Sequence, residues 1–250
     1  MKRTLLIDAD VTAYQAASAV EEALEIEPDY WVWSCDFKRV KARIEENIAF
    51  FMQELKADDY ILCLTDSAGN FRREVYPGYK GNRVKVKRPL ALKPAKEWMI
   101  EELNAYFRPR LEGDDILGIL ATHPHLVPGE KVIVSLDKDM KTVPGLYYRN
   151  PDDGLVLITE AEAERYFFNQ VLTGDVTDGY PGCPGVGPKK AEKILGDLGG
   201  AEAWQAIVAA YEKAGLTEAD ALTQARCARI LHASDYDFKR KEPKLWNPPK

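Results

Sequence analysis

Hydrophobic positions along this chain follow two alternating rhythms. Thr4–Ile7 (TLLI), Tyr60–Thr65 (YILCLT) and Lys131–Leu136 (KVIVSL) are short apolar runs, partly β-branched, which predicts buried strands. Between them the period lengthens. Val40, Ile44, Ile48, Phe51 and Leu55 share one face of a helix over Val40–Leu55, and Pro94–Phe107 and Asp114–Thr122 are further helical stretches. Strands alternating with helices imply an α/β fold with a parallel sheet and right-handed crossovers. From Glu160 onward the pattern is mostly helical, broken by Gly and Pro at Gly179–Pro188. The aromatic stretch Asp29–Phe37 (DYWVWSCDF) is compatible with an extra hairpin or strand.

Composition narrows the class. A chain of 250 residues can bury one large core or a core with an appendage. No apolar run approaches the ~20 residues of a membrane span, and three apolar residues before Asp8 do not make a signal peptide. Cys35, Cys63, Cys183 and Cys227 form no CxxC pair, and only three histidines exist. A zinc site or disulfide framework is thereby disfavoured, and a reducing cytoplasm is the expected setting.

The net charge of −6 conceals a bipolar chain. Phe71–Lys96 carries nine Lys/Arg against one acid, Glu74, a local charge of +8. Phe71, Tyr76 and Tyr79 are interleaved with the cations, as in surfaces that grip phosphates and stack bases. Lys85, Lys87 and Arg88 of this segment are therefore expected to meet nucleic acid.

Each predicted strand runs into an aspartate: Asp8, Asp66 and Asp137. The carboxyl ends of parallel strands line one edge, where ligands bind. Asp139, the cluster Glu112, Asp114 and Asp115 in LEGDDILGIL, and Asp175 and Asp178 in GDVTDG add to the count. Capping and the helix dipole account for one or two acids at a helix start. So many on one edge would repel one another unless a hard divalent cation joined them. Mg²⁺ suits such a shell, and two ions ~4 Å apart could clamp a phosphodiester.

The stretch DGYPGCPGVGPKKAEKIL (Asp178–Leu195) is the most specific. Gly182, Gly185 and Gly187 allow tight turns, Pro188 suits a first helical turn, and Lys189 and Lys190 follow. Free N–H groups at such a start bind phosphate without reading sequence. No G-x-x-x-x-G-K-[ST] loop is present.

Taken in order, LLIDAD, LTDSAGNFRREVYPGYKGNR, LEGDD, SLDKDMKTVPG and GDVTDGYPGCPGVGPKKAEKIL resemble the 5′-nuclease (flap endonuclease) superfamily, most closely the short replication exonucleases of T7-like phages. The resemblance implies a parallel-sheet, PIN-like α/β nuclease core over 1–159, with a basic arch near 71–96, and a helical part with a helix–hairpin–helix over 160–250. It implies a 5′→3′ exonuclease with flap-endonuclease and RNase H-like activity, dependent on two or more Mg²⁺ ions, with Mn²⁺ as a substitute and K⁺ at the hairpin. Asp8, Asp66, Glu112 and Asp114 match the first metal shell. Asp115, Asp137, Asp139, Asp175 and Asp178 match the second shell or its neighbours. Lys80 and Arg83 match the cations that meet the scissile phosphate, and Tyr79 a base-stacking partner. The implied partners are DNA with 5′ ends, nicks or flaps and RNA–DNA hybrids, with the chain a monomer in the host cytoplasm. Pro89 and Pro94 disfavour a continuous helical arch. Two rivals stand beside this reading. A haloacid-dehalogenase-type phosphatase would use Asp8 as nucleophile, but leaves the basic segment and the glycine hairpin without a role. A catalytically inactive DNA-structure-binding protein would not need the acids.

Overall fold

The computed structural model describes residues 2–82 and 87–249. Strands β1 (Arg3–Asp8), β4 (Asp59–Cys63) and β5 (Glu130–Val134) fall where the apolar runs predict them. Two further strands, β6 (Gly145–Tyr148) and β7 (Leu155–Ile158), extend the sheet to the order β4-β1-β5-β6-β7. All neighbours pair in parallel except β6 and β7, which are antiparallel. Leu6 lies opposite Ile61 on one side and Ile133 on the other. Strand β1 is thus central, and five consecutive residues, Thr4–Asp8, are buried.

Both sheet faces are covered. On one, Leu5, Ile7, Val132 and Val134 pack against α1 (Ala9–Val20), α2 (Phe37–Glu54) and α4 (Leu92–Glu102). The face of α2 read from the sequence is the buried one: Val40, Ile44 and Ile48 point inward. Helix α4 begins two residues before the predicted Pro94 and ends at Glu102, five short of Phe107; Asn104 then takes a left-handed turn (φ 53°) that no helix continues. On the other face Leu6, Cys63 and Ile133 pack against Ile116, Leu117 and Leu120 of α5 (Gly113–Thr122). Each fully buried aliphatic side chain contributes roughly 1.5–3 kcal/mol of transfer free energy.

The chain from α6 (Glu160–Thr173) through α7 (Pro188–Leu195), α8 (Gly200–Lys213) and α9 (Glu218–Ala228) has its own apolar centre, built on Phe167, Phe168, Val171, Ile207 and Tyr211. The basic segment holds the short helix α3 (Arg72–Val75), and Tyr79 just beyond it joins that centre. The stretch near Asp29–Phe37 is part of a two-stranded ribbon, β2 (Glu22–Glu27) with β3 (Tyr30–Ser34), which stands off the body with both strands exposed.

Candidate active site

Asp8 ends β1 and caps α1, its Oδ1 accepting from the Val11 N–H at 3.1 Å. Its Oδ2 accepts from Ser135 Oγ at 2.8 Å, which ties the ends of β1 and β5 together. Asp66 and Asp137 do not close their strands; each lies three residues beyond, in the loop at the carboxyl edge. Helix α5 starts at the same edge because Gly113 permits it. A Cβ there would stand 3.0 Å from Asp10 Oδ2 and 3.2 Å from the Cys63 carbonyl. Asp114 is thereby brought beside Asp8 and Asp137.

This crowding governs protonation. Burial, then Asp10 and Asp137, outweigh the two hydrogen bonds to Asp8 and raise its pKa to about 6. Burial, with Asp8 and Asp137, pushes Asp114 well above the ordinary carboxylate range. Asp139 rises to about 7 through burial and the charges of Asp137 and Asp175. Its Oδ1 is buried with no hydrogen-bond partner among the described residues. Glu112 goes the other way: burial opposes its charge, but Lys80 and Arg72 prevail and hold it at about 2.

The helical part closes the site from the other side. Asp175 Oδ1 accepts from the Asp178 N–H at 2.9 Å, and Asp175 lies 3.9 Å from Lys138, the neighbour of Asp139. The Lys80 amine pairs with Glu112 and stands 3.5 Å from Asp178 Oδ2. Lys80 has a left-handed backbone (φ 53°), costly by ~1–2 kcal/mol for a residue with a Cβ. Its N–H donates to the Asp178 carbonyl at 2.7 Å, which fixes that turn against the helical part. In the hairpin, Gly187 caps α7 and Pro188 is its first residue. Gly185, Gly187, Lys189 and Lys190 are exposed, and Lys190 Nζ donates to the Gly185 carbonyl at 3.1 Å. Gly182 is buried, with its N–H on Gln224 Oε1 at 2.9 Å.

Several expectations need correction. Tyr79 cannot stack on a base: it is buried, stacked on Tyr180, and its hydroxyl donates to Glu112 or Asp178, each at 2.8 Å. Asp115 is wholly buried, with both oxygens held by Arg72, so it has no face to offer a metal. Asp66 accepts from the N–H groups of Ala68 and Arg110, at 2.9 and 2.8 Å, which holds both its oxygens in the loop after β4. Lys87 is held by Glu21 at 2.6 Å and covers the Trp33 ring. Arg88 is exposed, whereas Arg83 and Lys85 lie outside the described residues. Asp10, Arg72, Lys96 and Ser135 were missed. Lys96 pairs with Asp10, which also accepts from the Thr65 N–H at 2.7 Å. The Asp-x-Asp spacing of LLIDAD was the available signal for Asp10; a buried partner such as Arg72 leaves none.

The acids line the edge without forming a tight shell: among the described residues no three His, Cys, Asp or Glu side chains are gathered closely enough to hold a metal ion. The charge nevertheless fits a divalent cation, since Asp8, Asp114 and Asp139 resist ionising together and Asp139 Oδ1 has no donor among the described residues. Mg²⁺ keeps several waters and needs few direct ligands.

An open sheet with acids at its carboxyl edge, joined to a phosphate-ready helical hairpin, defines a nuclease-like α/β protein. The chain belongs to the 5′-3′ exonuclease family, residues 3–149 matching the model of its N-terminal resolvase-like domain. It is 33% identical over 283 aligned positions to the exonuclease of Escherichia phage T7, covering 99% of this chain and 94% of that protein. It is 32% identical to the exodeoxyribonuclease of Enterobacteria phage T3, covering 99% and 93%. Its fold resembles the bacteriophage T5 flap endonuclease, solved as a pseudo-enzyme–product complex with DNA and metal ions (TM-score 0.64, 15% identity, 90% of this chain and 91% of that one).

Proposed function

We propose that this chain is a 5′→3′ exonuclease and flap endonuclease that hydrolyses DNA phosphodiesters from 5′ ends, nicks or flaps in phage-type replication, and acts on RNA–DNA hybrids as well. The single observation that carries the reading is the meeting, at one edge, of Asp8, Asp114, Asp137 and Asp139 with Asp175 and Asp178 of the helical part, whose chain runs on into the hairpin at Gly185–Lys190. Asp8, Asp114, Asp137 and Asp139, with Glu112, Asp175 and Asp178, are the residues that would hold Mg²⁺, or Mn²⁺ in its place. Divalent ions bound there supply Lewis-acid activation of water and of the phosphate.

The chain's own groups do the rest. Lys80, between Glu112 and Asp178, places a positive charge beside the acids, where charge builds on the phosphate in the transition state. Arg72 and Asp115 keep Glu112 at the start of α5. Gly185, Gly187, Lys189 and Lys190 present N–H groups and amines to duplex backbone, with K⁺ at the hairpin turn, and Arg83, Lys85 and Arg88 are the further cations of the basic segment that meet DNA. The chain works as a monomer in the host cytoplasm. Digestion of a 5′-labelled nicked duplex with Mg²⁺ is expected to give short 5′ products, abolished by EDTA. Cleavage that persists in EDTA, or that starts from 3′ ends, would overturn the reading.

A further inference from the structure

A cleft of about 440 Å³ opens between the β6–β7 hairpin and the first turns of α6, lined by Lys141, Tyr147, Arg149, Val156, Glu162 and Tyr166. Its floor is the back of the acidic edge. The Tyr147 hydroxyl donates to the Asp137 carbonyl at 2.8 Å, and Arg149 Nε to the Leu136 carbonyl at 3.2 Å. Lys141 shares the 3₁₀ turn Lys138–Thr142 with Asp139. The volume lies in the range of small-ligand pockets.

The charges in the cleft are not balanced in what they offer a ligand. Glu162 is engaged as a helix cap, accepting from the Thr159 N–H and hydroxyl at 2.8 and 2.7 Å. Asp153, at the rim, lies 3.6 Å from Arg149. The Lys141 amine is exposed and has no hydrogen bond or ion pair among the described residues. The open charge is thus positive, and beside it stand the part-exposed ring of Tyr166 and the half-exposed Val156, with the buried Tyr147 beneath them. A free cation at the mouth of an aromatic and apolar slot matches a phosphate joined to a flat base.

We propose that this cleft is a nucleotide subsite, which takes one nucleotide of the DNA strand crossing Asp137 and Asp139, its phosphate at Lys141 and its base against Tyr166 and Val156. The proposal rests on the exonuclease reading and adds where the strand goes beside the acids.

The test is titration of the whole protein with 2′-deoxyadenosine 5′-monophosphate in EDTA, where the metal-free acids repel phosphate and only cationic sites bind. Lys141→Glu reverses the charge, and Val156→Trp fills the slot without changing charge. Both are expected to weaken binding about tenfold, and to raise KM for a 5′-ended duplex in Mg²⁺ with kcat little changed, the mark of binding shared by ground and transition states. Wild-type affinity in both variants, or no binding to the unaltered protein, would overturn the subsite. If the unaltered protein binds the nucleotide, both variants lose it, and no 5′ cleavage occurs, the subsite stands and the exonuclease reading falls. Normal cleavage without nucleotide binding removes the subsite alone.

Discussion

Arg72 grips Asp115 with both arms: Nη1 donates to Oδ2 at 2.8 Å and Nη2 to Oδ1 at 2.7 Å, with both side chains excluded from solvent. The same guanidinium donates to Glu112 at 3.2 Å and to the carbonyls of Cys227 and Arg229 at 3.0 and 2.6 Å. One buried cation therefore joins the basic segment, the start of α5 and the end of α9. Adjacent aspartates then have opposite roles. Removing one partner of a buried pair strands the other, at a cost of about 3–5 kcal/mol. Asp115→Asn is expected to lower thermal stability, by about 2–4 °C per kcal/mol at this chain length. Asp114→Asn, which relieves repulsion from Asp8 and Asp137, is expected to keep or raise the melting temperature while abolishing cleavage. Equal melting temperatures for the two variants would show that the Arg72 pair does not hold the fold.

Asp8 and Asp139 give metal-free stability a particular pH dependence. Their folded pKa values, about 6 and about 7, lie above the ordinary 3.8, so between pH 4 and 7 the folded state binds more protons than the unfolded one. Stability in EDTA is expected to fall as pH rises through that window. Glu112, held at about 2, works oppositely and only below about pH 4.5, where stability is lost on acidification. Mg²⁺ is expected to raise the melting temperature more at pH 8 than at pH 5, because protons compete with it for the same oxygens. Asp139→Asn is expected to flatten the EDTA profile between pH 5 and 7. Melting scans across pH, with and without Mg²⁺, read all three.

What the sequence revealed follows from how local each cause is. The three buried strands, the apolar face of α2 and the Gly187–Pro188 start of α7 depend on neighbours within a few residues, and all were readable. Strands β6 and β7 were not: GLYY and LVLI are four residues each, and only pairing across the sheet makes them strands. The acids were legible as a set but not by role. Asp115 differs from Asp114 only in which side of α5 it occupies, and its partner Arg72 lies 43 residues away. Tyr79 reads as a stacking ring from its basic neighbours, yet packs into the core of the helical part.

Lys80, like Arg72, sits between the metal-edge acids and the helical part, but its amine is only partly buried. Its amine meets Glu112 and Asp178, and its removal leaves Arg72 and Tyr79 as the side-chain partners of Glu112 among the described residues. Lys80→Ala is expected to slow single-turnover cleavage by about 10²-fold, with little loss of DNA affinity, since a charge that acts mainly in the transition state adds little to ground-state binding. The Glu112 pKa is expected to rise in the variant, moving the acid limb of the pH–rate profile upward. Weakened binding with normal cutting at saturation would make Lys80 a docking group.

Gly187 offers a test of the hairpin that the fold does not confuse. Gly182 must be glycine for internal reasons: its φ is +67°, and a Cβ would stand 2.3 Å from the Gly174 nitrogen. Gly182→Ala is therefore expected to unfold the turn whatever it binds. Gly187 has an ordinary φ of −96°, and an added Cβ meets nothing within 4 Å. Nothing among the described residues requires glycine there, so any requirement comes from a phosphate that approaches the N–H groups opening α7. Gly187→Ala is expected to leave the melting temperature within a degree or so and to weaken duplex binding alike across unrelated sequences. Lys189→Ala with Lys190→Ala should do the same and also flatten the dependence of log K on log[salt], with a slope reduced by up to about 0.9 for each phosphate that is no longer neutralised. Gly187→Ala removes no charge and should leave that slope nearer the wild-type value. Full duplex affinity in Gly187→Ala would place the phosphate-binding surface elsewhere on the protein, and a loss confined to one sequence would point to base readout instead.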